Sequence, residues 1–399
     1  MHQKRPPVLT SYDLRPQAAG LRARGPLVQV EIPGGVIAWA VTTHTAVAEM
    51  ATHPDVKKGL SYWSAFSRGE IPPDWPLISW VAAENMFTAD GERHDRLRRL
   101  VSTAFTPRRI EALRSRVEQI VAALLDDMAS GDGTADLKES LARPLPMTVI
   151  TELFGVDAAT STRMTNLVDT AFDTTSTPET AARNQTALMA LLGELVAGKR
   201  DHPGDDMTST LISARDDSDR LSESELVWTL ILMIGAGYET TMNLIANAVH
   251  ALLTNRDQLG LILDGSYGWD AAVEEALRWN AAVQNVPLRY AAVDITIQGV
   301  TVPAGDPILL GYGSANRDPA QHGPDAHLFD ITRQQRPHLA FSRGAHYCLG
   351  ASLARLEAET ALRMLWQRFP DLVATLEDPP YEPSIVTNGF TTLPVAFTP

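Results

Sequence analysis

Cysteine is almost missing from this chain: Cys348 is the single one among 399 residues. One thiol cannot close an internal disulfide, so a reducing, cytoplasmic setting is the expected one. Nor can it hold an iron–sulfur cluster, which takes several cysteines. A glycine-rich dinucleotide fingerprint is missing too, so no flavin or nicotinamide module is expected. Long apolar runs are absent. The longest, residues 227–237, falls well short of the roughly 20 residues that a membrane helix needs. The Met-His-Gln-Lys-Arg start leads into no signal-type apolar stretch, so a membrane anchor is not expected. A formal net charge of −14 argues against nucleic acid as a partner.

Apolar residues make up 44% of the chain and charged residues 21%, which fits a globular protein with a large core. Length alone suggests two or three domains. Charge is unevenly spread: between Arg93 and Arg116, eight arginines stand against Asp95 and Glu111. Such a run reads as a solvated helix face or as a docking surface for an acidic protein.

Residues 1–25 read as an irregular arm. Residues 27–31 and 36–40 read as a hairpin through Pro33-Gly34-Gly35, and 43–52 as a short helix capped by Thr42 or Thr43. Residues 59–90 hold Pro72, Pro73 and Pro76 together with Tyr62, Trp63, Phe66, Trp75, Trp80 and Phe87. A loop so long and so aromatic reads as a binding lid. Helices are expected over 91–105, 107–130, 137–154, 158–172 and 179–199, with a polar break at 173–178.

Ser222 and Glu225 form a capping box, opening a helix to Thr254 that is apolar nearly all round and so crosses a core. Its middle reads Gly235-Ala236-Gly237-Tyr238-Glu239-Thr240-Thr241. Each glycine there costs about 1 kcal/mol relative to alanine, and a buried acid and hydroxyl need partners. Close approach of a ligand would explain both; a glycine-kinked core helix is the plainer alternative. A helix over 270–279 carries Glu275 and Arg278 at i,i+3, a spacing that usually marks a weak surface pair. Strands are expected over 286–293, 295–302 and 307–312, with turns at Gly299 and Ala304-Gly305-Asp306. A loop-rich stretch follows over 314–336, and short strands near Val373 and Leu393 flank a turn at Asn388-Gly389.

Chemistry concentrates in Phe341-Ser-Arg-Gly-Ala-His-Tyr-Cys-Leu-Gly350. Cys348 stands where a loop gives way to a helix over 349–368, so free N–H groups and the helix dipole favour its thiolate. Gly344 and Gly350 clear the approach for something flat and bulky. The bland alternative is a small buried hydrophobe.

Phe341, Gly344, His346, Cys348 and Gly350 resemble the cysteine-ligand loop of the cytochrome P-450 family, with Ser342 where the family often has glycine. Ala236-Gly237-x-Glu239-Thr240-Thr241 resembles that family's oxygen-activating motif. His94-x-x-x-Arg98 resembles its haem-propionate grip, and Glu275-Ala-Leu-Arg278 its core ion pair, with Arg333 as the completing arginine. The four motifs stand in the family's order, from about Val28 to the C-terminus.

The resemblance implies one domain over 1–399, mainly α with small β-sheets (α+β). Haem b would lie between the long central helix and the cysteine helix. Cys348 would be the axial ligand of the haem iron. His94, Arg98, Arg289 and His346 would bind the cofactor. Thr240 would hydrogen-bond dioxygen and Glu239 relay protons. Glu275, Arg278 and Arg333 would be structural.

The implied pocket walls are Trp80, Ala83, Met86, Ala236, Asn285 and Phe390. They describe an apolar cavity without buried charge, hence a neutral, fairly large apolar or aromatic substrate, of the kind found in secondary metabolism. Hydroxylation is the implied reaction, with oxidative coupling of aromatic substrates such as cyclic dipeptides as the alternative. A haem-thiolate gas sensor or carrier is a third reading, which would need neither a proton-handling pair nor a lidded pocket. Electrons would come from a ferredoxin and its reductase, docking on the arginine-rich segment through Arg96 and Arg99, and the chain is expected to be a monomer.

Overall fold

The capping box at Ser222 sets the longest element. In the computed structural model, which describes residues 6–9, 14–103, 105–172, 177–213, 221–334 and 337–399, Ser222 Oγ accepts the Glu225 N–H at 3.1 Å. Glu225 Oε2 accepts the Ser222 N–H at the same distance. From this cap the helix Glu223–Thr254 runs unbroken for 32 residues, about 48 Å at 1.5 Å per residue. Most of its apolar side chains are buried because helices Pro144–Leu153, Pro178–Asp201, Trp269–Trp279 and Ala351–Arg368 pack around it. Gly237 allows a close crossing, since an added methyl would lie 3.1 Å from Ile150 Cδ1, tighter than ordinary contact.

The arginine-rich helix, Gly91–Ser102, buries His94, Leu97, Leu100 and Val101 and turns Arg93 and Arg99 outward. Arg96 instead reaches Glu225 at 2.5 Å, with Arg93 at 3.6 Å from the same carboxylate. That carboxylate ties this helix to the first turn of the central one.

Among the described residues, ten strands form three small sheets. Strands β1 (Leu27–Ile32), β2 (Val36–Val41), β3 (Val56–Lys57), β5 (Asn285–Ala291) and β8 (Pro307–Gly311) make a five-stranded sheet in the order β1-β2-β8-β5-β3. All its pairs are antiparallel except β2 with β8. Strands β4 (Thr134–Asp136), β10 (Pro394–Ala396) and β9 (Val373–Ala374) form a second sheet, and β6 (Ile295–Ile297) pairs with β7 (Val300–Val302). Among the described residues no helix is long and apolar enough to cross a membrane.

Several expectations change. The arm is not irregular throughout: Leu14–Arg22 is a helix, and Val8 bridges Glu31 of the main sheet. Residues 107–130 divide into Pro107–Ala112 and Arg114–Ala129. Residues 137–154 open with a π-helical turn, Lys138–Ala142, before Pro144 starts a regular helix. Thr43 caps the helix His44–Thr52 without a side-chain bond; the His44 N–H goes to Asp318 instead. The turn expected at Gly299 is present, and it makes 295–302 the hairpin β6–β7, with Gln298 and Gly299 at positive φ. Residues 173–176 of the polar break, and 335–336 of the loop-rich stretch, lie outside the described residues.

The aromatic stretch over 59–90 is only partly a lid. Trp63 and Trp75 are core residues beneath the main sheet: Trp63 stacks on Tyr290 at 5.5 Å and meets Trp75 edge-on. Trp75 Nε1 donates to the Pro33 carbonyl at 2.8 Å. Gly34, at φ +82°, must lack a side chain because a methyl would sit 2.5 Å from that indole.

Candidate functional site

The loop before Cys348 is closed by the Cys348 N–H, which donates to the Phe341 carbonyl at 2.8 Å. Two residues in it take positive φ. Ser342, at +64°, is held there by the Tyr312 hydroxyl, which donates to its Oγ at 2.7 Å. That bond offsets the cost, about 1 kcal/mol, of a side chain in left-handed backbone. Gly344, at +74°, abuts Thr52, whose Cγ2 would be 2.9 Å from an added methyl. The helix proper starts at Ala351, two residues later than the sequence suggests. The N–H groups of Gly350 and Ala351 point at the sulfur. Burial pushes the Cys348 thiol up, while these donors and the charges of Arg98 and Arg355 work against it. A bound metal cation would complete the shift to thiolate.

Cys348 forms part of the wall of an internal cavity. Leu232, Met233, Ala236, Gly237, Thr240, Thr241 and Leu244 of the central helix line it, with Met86, Phe87, Phe105, Ile150, Val283 and Val286 around them. Lys58, His94, Arg98, Arg289 and His346 line it too. Val286 and Arg289, three apart, would face opposite sides of a regular strand. A bulge between them in β5 turns both into the cavity.

The basic groups converge on His346. Its ring lies 4.4 Å from that of His94. Burial, followed by the positive charges of Lys58, Arg289, His94 and Arg98, lowers His346 to about 2. Arg98 donates to the Tyr347 carbonyl at 2.8 Å. His94 Nε2, Arg289 Nε and Lys58 Nζ are buried without a hydrogen-bond partner. Orphaned donors and clustered positive charge are costly unless an anion sits among them. Haem fits this set: carboxylates for the donors, a flat apolar ring for the walls, a thiolate for the iron.

Glu239 and Thr240 sit on different sides of the central helix. Thr240 borders the cavity, and its hydroxyl donates to the Ala236 carbonyl at 2.6 Å. Glu239, 4% exposed, turns away from it and accepts from Asn243 Nδ2 at 3.0 Å. Burial and the nearby Glu382 raise its carboxyl to about 7, with Asp169 adding to the rise; Asn243 and Lys138 oppose it. Lys138 pairs with Glu382, whose side chain reaches solvent. Neighbouring Tyr238 donates to Asp169, which also receives Arg143.

Glu275, Arg278 and Arg333 meet in a buried group. Arg278 forms two bonds to Glu275, at 2.8 and 2.7 Å, and spends its other donors on the carbonyls of Asn316, Ala326 and Leu328. Arg333 lies 3.4 Å from the same carboxylate.

Of the six expected pocket walls, Met86 and Ala236 line the cavity. Trp80, Ala83, Asn285 and Phe390 do not. Trp80 packs against the core under the main sheet, and Ala83 offers its carbonyl to Thr88. The Asn285 amide is committed to the Ile385 carbonyl at 2.7 Å. Phe390 is 1% exposed and wedged between His250 and Tyr381. The expectation of no buried charge also fails, because buried Lys58 and Glu357 both line the cavity. Strand alternation was the available signal: with Val56 inward and Lys57 outward, Lys58 falls on the inner side.

The arginine-rich surface is thinner than its sequence suggests. Arg93 and Arg96 face Glu225, Arg114 pairs with Glu111, and Arg116 with Glu152. Arg96 is thus a tether between two helices. Arg99, Arg108 and Arg109 remain exposed.

Comparison with known proteins gives the same answer from another direction. The cytochrome P450 family model matches residues 31–196 and 269–396. The whole central helix, Glu223–Thr254, lies between the two matched stretches. The 2-hydroxy-5-methyl-1-naphthoate 7-hydroxylase of Streptomyces carzinostaticus is 40% identical over 96% of this chain and 95% of its own. The structure of CYP154A1 from Streptomyces coelicolor A3(2) superposes with a TM-score of 0.93 at 47% identity, covering 98% of this chain and all of the other. Testosterone-bound CYP154C4 from Streptomyces sp. ATCC 11861 gives 0.95 at 41% identity over 98% of both chains. With family model, relatives and fold all agreeing over nearly the whole length, the chain belongs to the cytochrome P450 family and is a haem-dependent monooxygenase of the group that hydroxylates secondary metabolites.

Proposed function

We propose that this P450 hydroxylates a neutral, fused-ring small molecule, with Cys348 as axial thiolate and Thr240 and Glu239 as the proton-handling pair. The observation that carries this reading is the division of the cavity. Its central-helix side, from Leu232 to Leu244 with Met86, Phe87, Val283 and Val286, carries no charged side chain, whereas the basic groups gather around His346. An apolar wall of this kind suits a ligand that binds by burial of surface and not by charge. The relatives named above, one acting on a naphthoate and one holding testosterone, also take fused rings.

Haem supplies the activation of dioxygen and Cys348 the electron density that favours O–O cleavage. The chain's own residues do the rest. Arg98, Arg289, His94 and His346 would hold the cofactor at its carboxylates. Thr240 places a hydroxyl on the cavity side of the helix, where it can turn from the Ala236 carbonyl to donate a proton inward. Glu239, with a carboxyl raised to about 7, both gains and loses protons near neutrality, as a relay must. Its position beside the Lys138–Glu382 pair gives it a polar path toward solvent. The phenyl and thioether groups of Phe87 and Met86 keep water from the apolar side. Electrons would arrive from a ferredoxin and its reductase at the surface outside Cys348, steered by Arg99, Arg108 and Arg109.

Two measurements test this reading. The reduced protein under carbon monoxide should show the shifted Soret band of thiolate-ligated haem, and Cys348→Ser should lose it. Testosterone, as a neutral fused-ring probe, should shift the haem spin state at micromolar levels and yield a hydroxylated product, whereas benzoate should do neither. Tight benzoate binding with no response to testosterone would overturn the substrate class.

A further inference from the structure

Lys58 is an unusual lysine. It follows β3 directly, is 2% exposed, and its Nζ has no hydrogen-bond partner. The ammonium lies 3.7 Å from the centroid of the Phe87 ring. Its backbone is pinned in place: Asp90 Oδ2 accepts the N–H groups of Lys58 and Gly59 at 2.7 and 2.8 Å. A ring face alone is a weak substitute for the water an ammonium gives up on burial. Burial lowers the amine well below its ordinary value, Arg289 lowers it further, and Asp90 opposes both. A pinned, buried cation with free donors, bordering a cavity, calls for an anion inside that cavity.

We propose that Lys58 Nζ is a further cationic partner of the haem carboxylates, joining Arg289 and His94 on the His346 side of the cavity. The proposal rests on the haem reading given above. Two buried groups have unspent donors there, Lys58 and Arg289, and His94 Nε2 becomes a third when the ring is protonated, since its Nδ1 already faces Asp95 Oδ1 at 3.1 Å. Two carboxylates offer four oxygens, enough to receive all three. A carboxylate on a substrate would offer the same chemistry. The haem source is favoured by place: the charges felt most strongly by His346 are those of Lys58 and Arg289, which puts Lys58 at the basic edge, where that edge meets the Phe87 ring.

The test follows haem transfer from the holoprotein to excess apomyoglobin, comparing wild type with K58M, K58R and R289M. K58M should lose haem roughly 10- to 100-fold faster, the worth of one charged hydrogen bond, and K58R should stay near wild type. The midpoint potential of K58M should fall, because a positive charge beside the cofactor favours its reduced form. Apo-K58M should melt higher than the wild-type apoprotein, having lost a buried amine without a hydrogen-bond partner. If K58M keeps haem at the wild-type rate and potential while R289M loses it, Lys58 is not a partner of the haem, although the haem reading stands. If K58M leaves haem loss unchanged but weakens binding of 1-naphthoate, the carboxylate is a substrate's and the proposal fails. A wild-type protein without the thiolate-type band would instead overturn the reading beneath it.

Discussion

Replacing Glu239 by glutamine should stabilise this protein, and do so only above mildly acidic pH. An unfolded glutamate ionises near 4.5, whereas the folded chain holds this proton to about 7. Between those values the folded state binds a proton that the unfolded state has released, so stability falls as pH rises through the window. Above it the ionised carboxylate costs about 3 kcal/mol. Glutamine keeps an oxygen for the Asn243 amide and carries no charge, so it escapes the cost. Glu382, Asp169 and Lys138 face the same spot and remain in place.

With an unfolding entropy of roughly 2.1 cal/mol/K per residue, 1 kcal/mol corresponds to about 1 °C for a chain of 399 residues. Glu239→Gln should therefore raise Tm by about 4 °C near pH 8 and by about 1 °C near pH 5. Calorimetry of the two holoproteins at both pH values measures this directly. The same variant should form less product and more hydrogen peroxide per NADPH, since the relay has lost its ionisable group. An equal Tm offset at both pH values would refute the raised carboxyl. A loss of coupling without any pH-dependent stability gain would place the proton path elsewhere.

Thr240→Ala should still bind substrate and consume NADPH, but divert electron flow to hydrogen peroxide; an unchanged product-to-NADPH ratio would remove Thr240 from proton handling. Arg278→Met leaves Glu275 buried without its main partner and three carbonyls unserved. It should cost about 3–5 kcal/mol, seen as a Tm lower by several degrees, and Arg278→Lys should not rescue it because a lysine cannot supply the planar fork. Arg99→Glu should slow reduction by a ferredoxin and flatten its salt dependence while substrate affinity holds. Equal rates at every salt concentration would move the docking surface off this helix.

What could be read from sequence was whatever short-range spacing specifies. The capping box needs only Ser222 and Glu225 three apart, and both of its bonds form. The long apolar helix follows from its residue order, and Glu275 with Arg278 from a single turn. Other features depend on which distant residue comes to lie opposite. Arg96 looked like surface charge because nothing near it in sequence hints at Glu225, 129 positions away. Phe390 and Asn285 looked like pocket walls, yet tertiary packing gave one to His250 and the other to the Ile385 carbonyl. Trp63 and Trp75 lie in a proline-broken stretch that reads as loop, but their large apolar surfaces were worth more under the sheet than over a ligand. The bulge that brings Val286 and Arg289 to one side is invisible to a strict two-residue alternation.

Glu225 is a shared resource. The same carboxylate completes the cap of the central helix and receives Arg96 and Arg93 from the helix that carries His94 and Arg98. In evolutionary terms these positions cannot drift one at a time. A lineage that exchanges Glu225 loses a helix start and leaves two arginines without their acid in one step, so substitutions there should arrive in company with changes at 93, 96 or 222. Among homologues this predicts a correlated set spanning more than a hundred residues. Its members would vary together even though none of them touches the substrate.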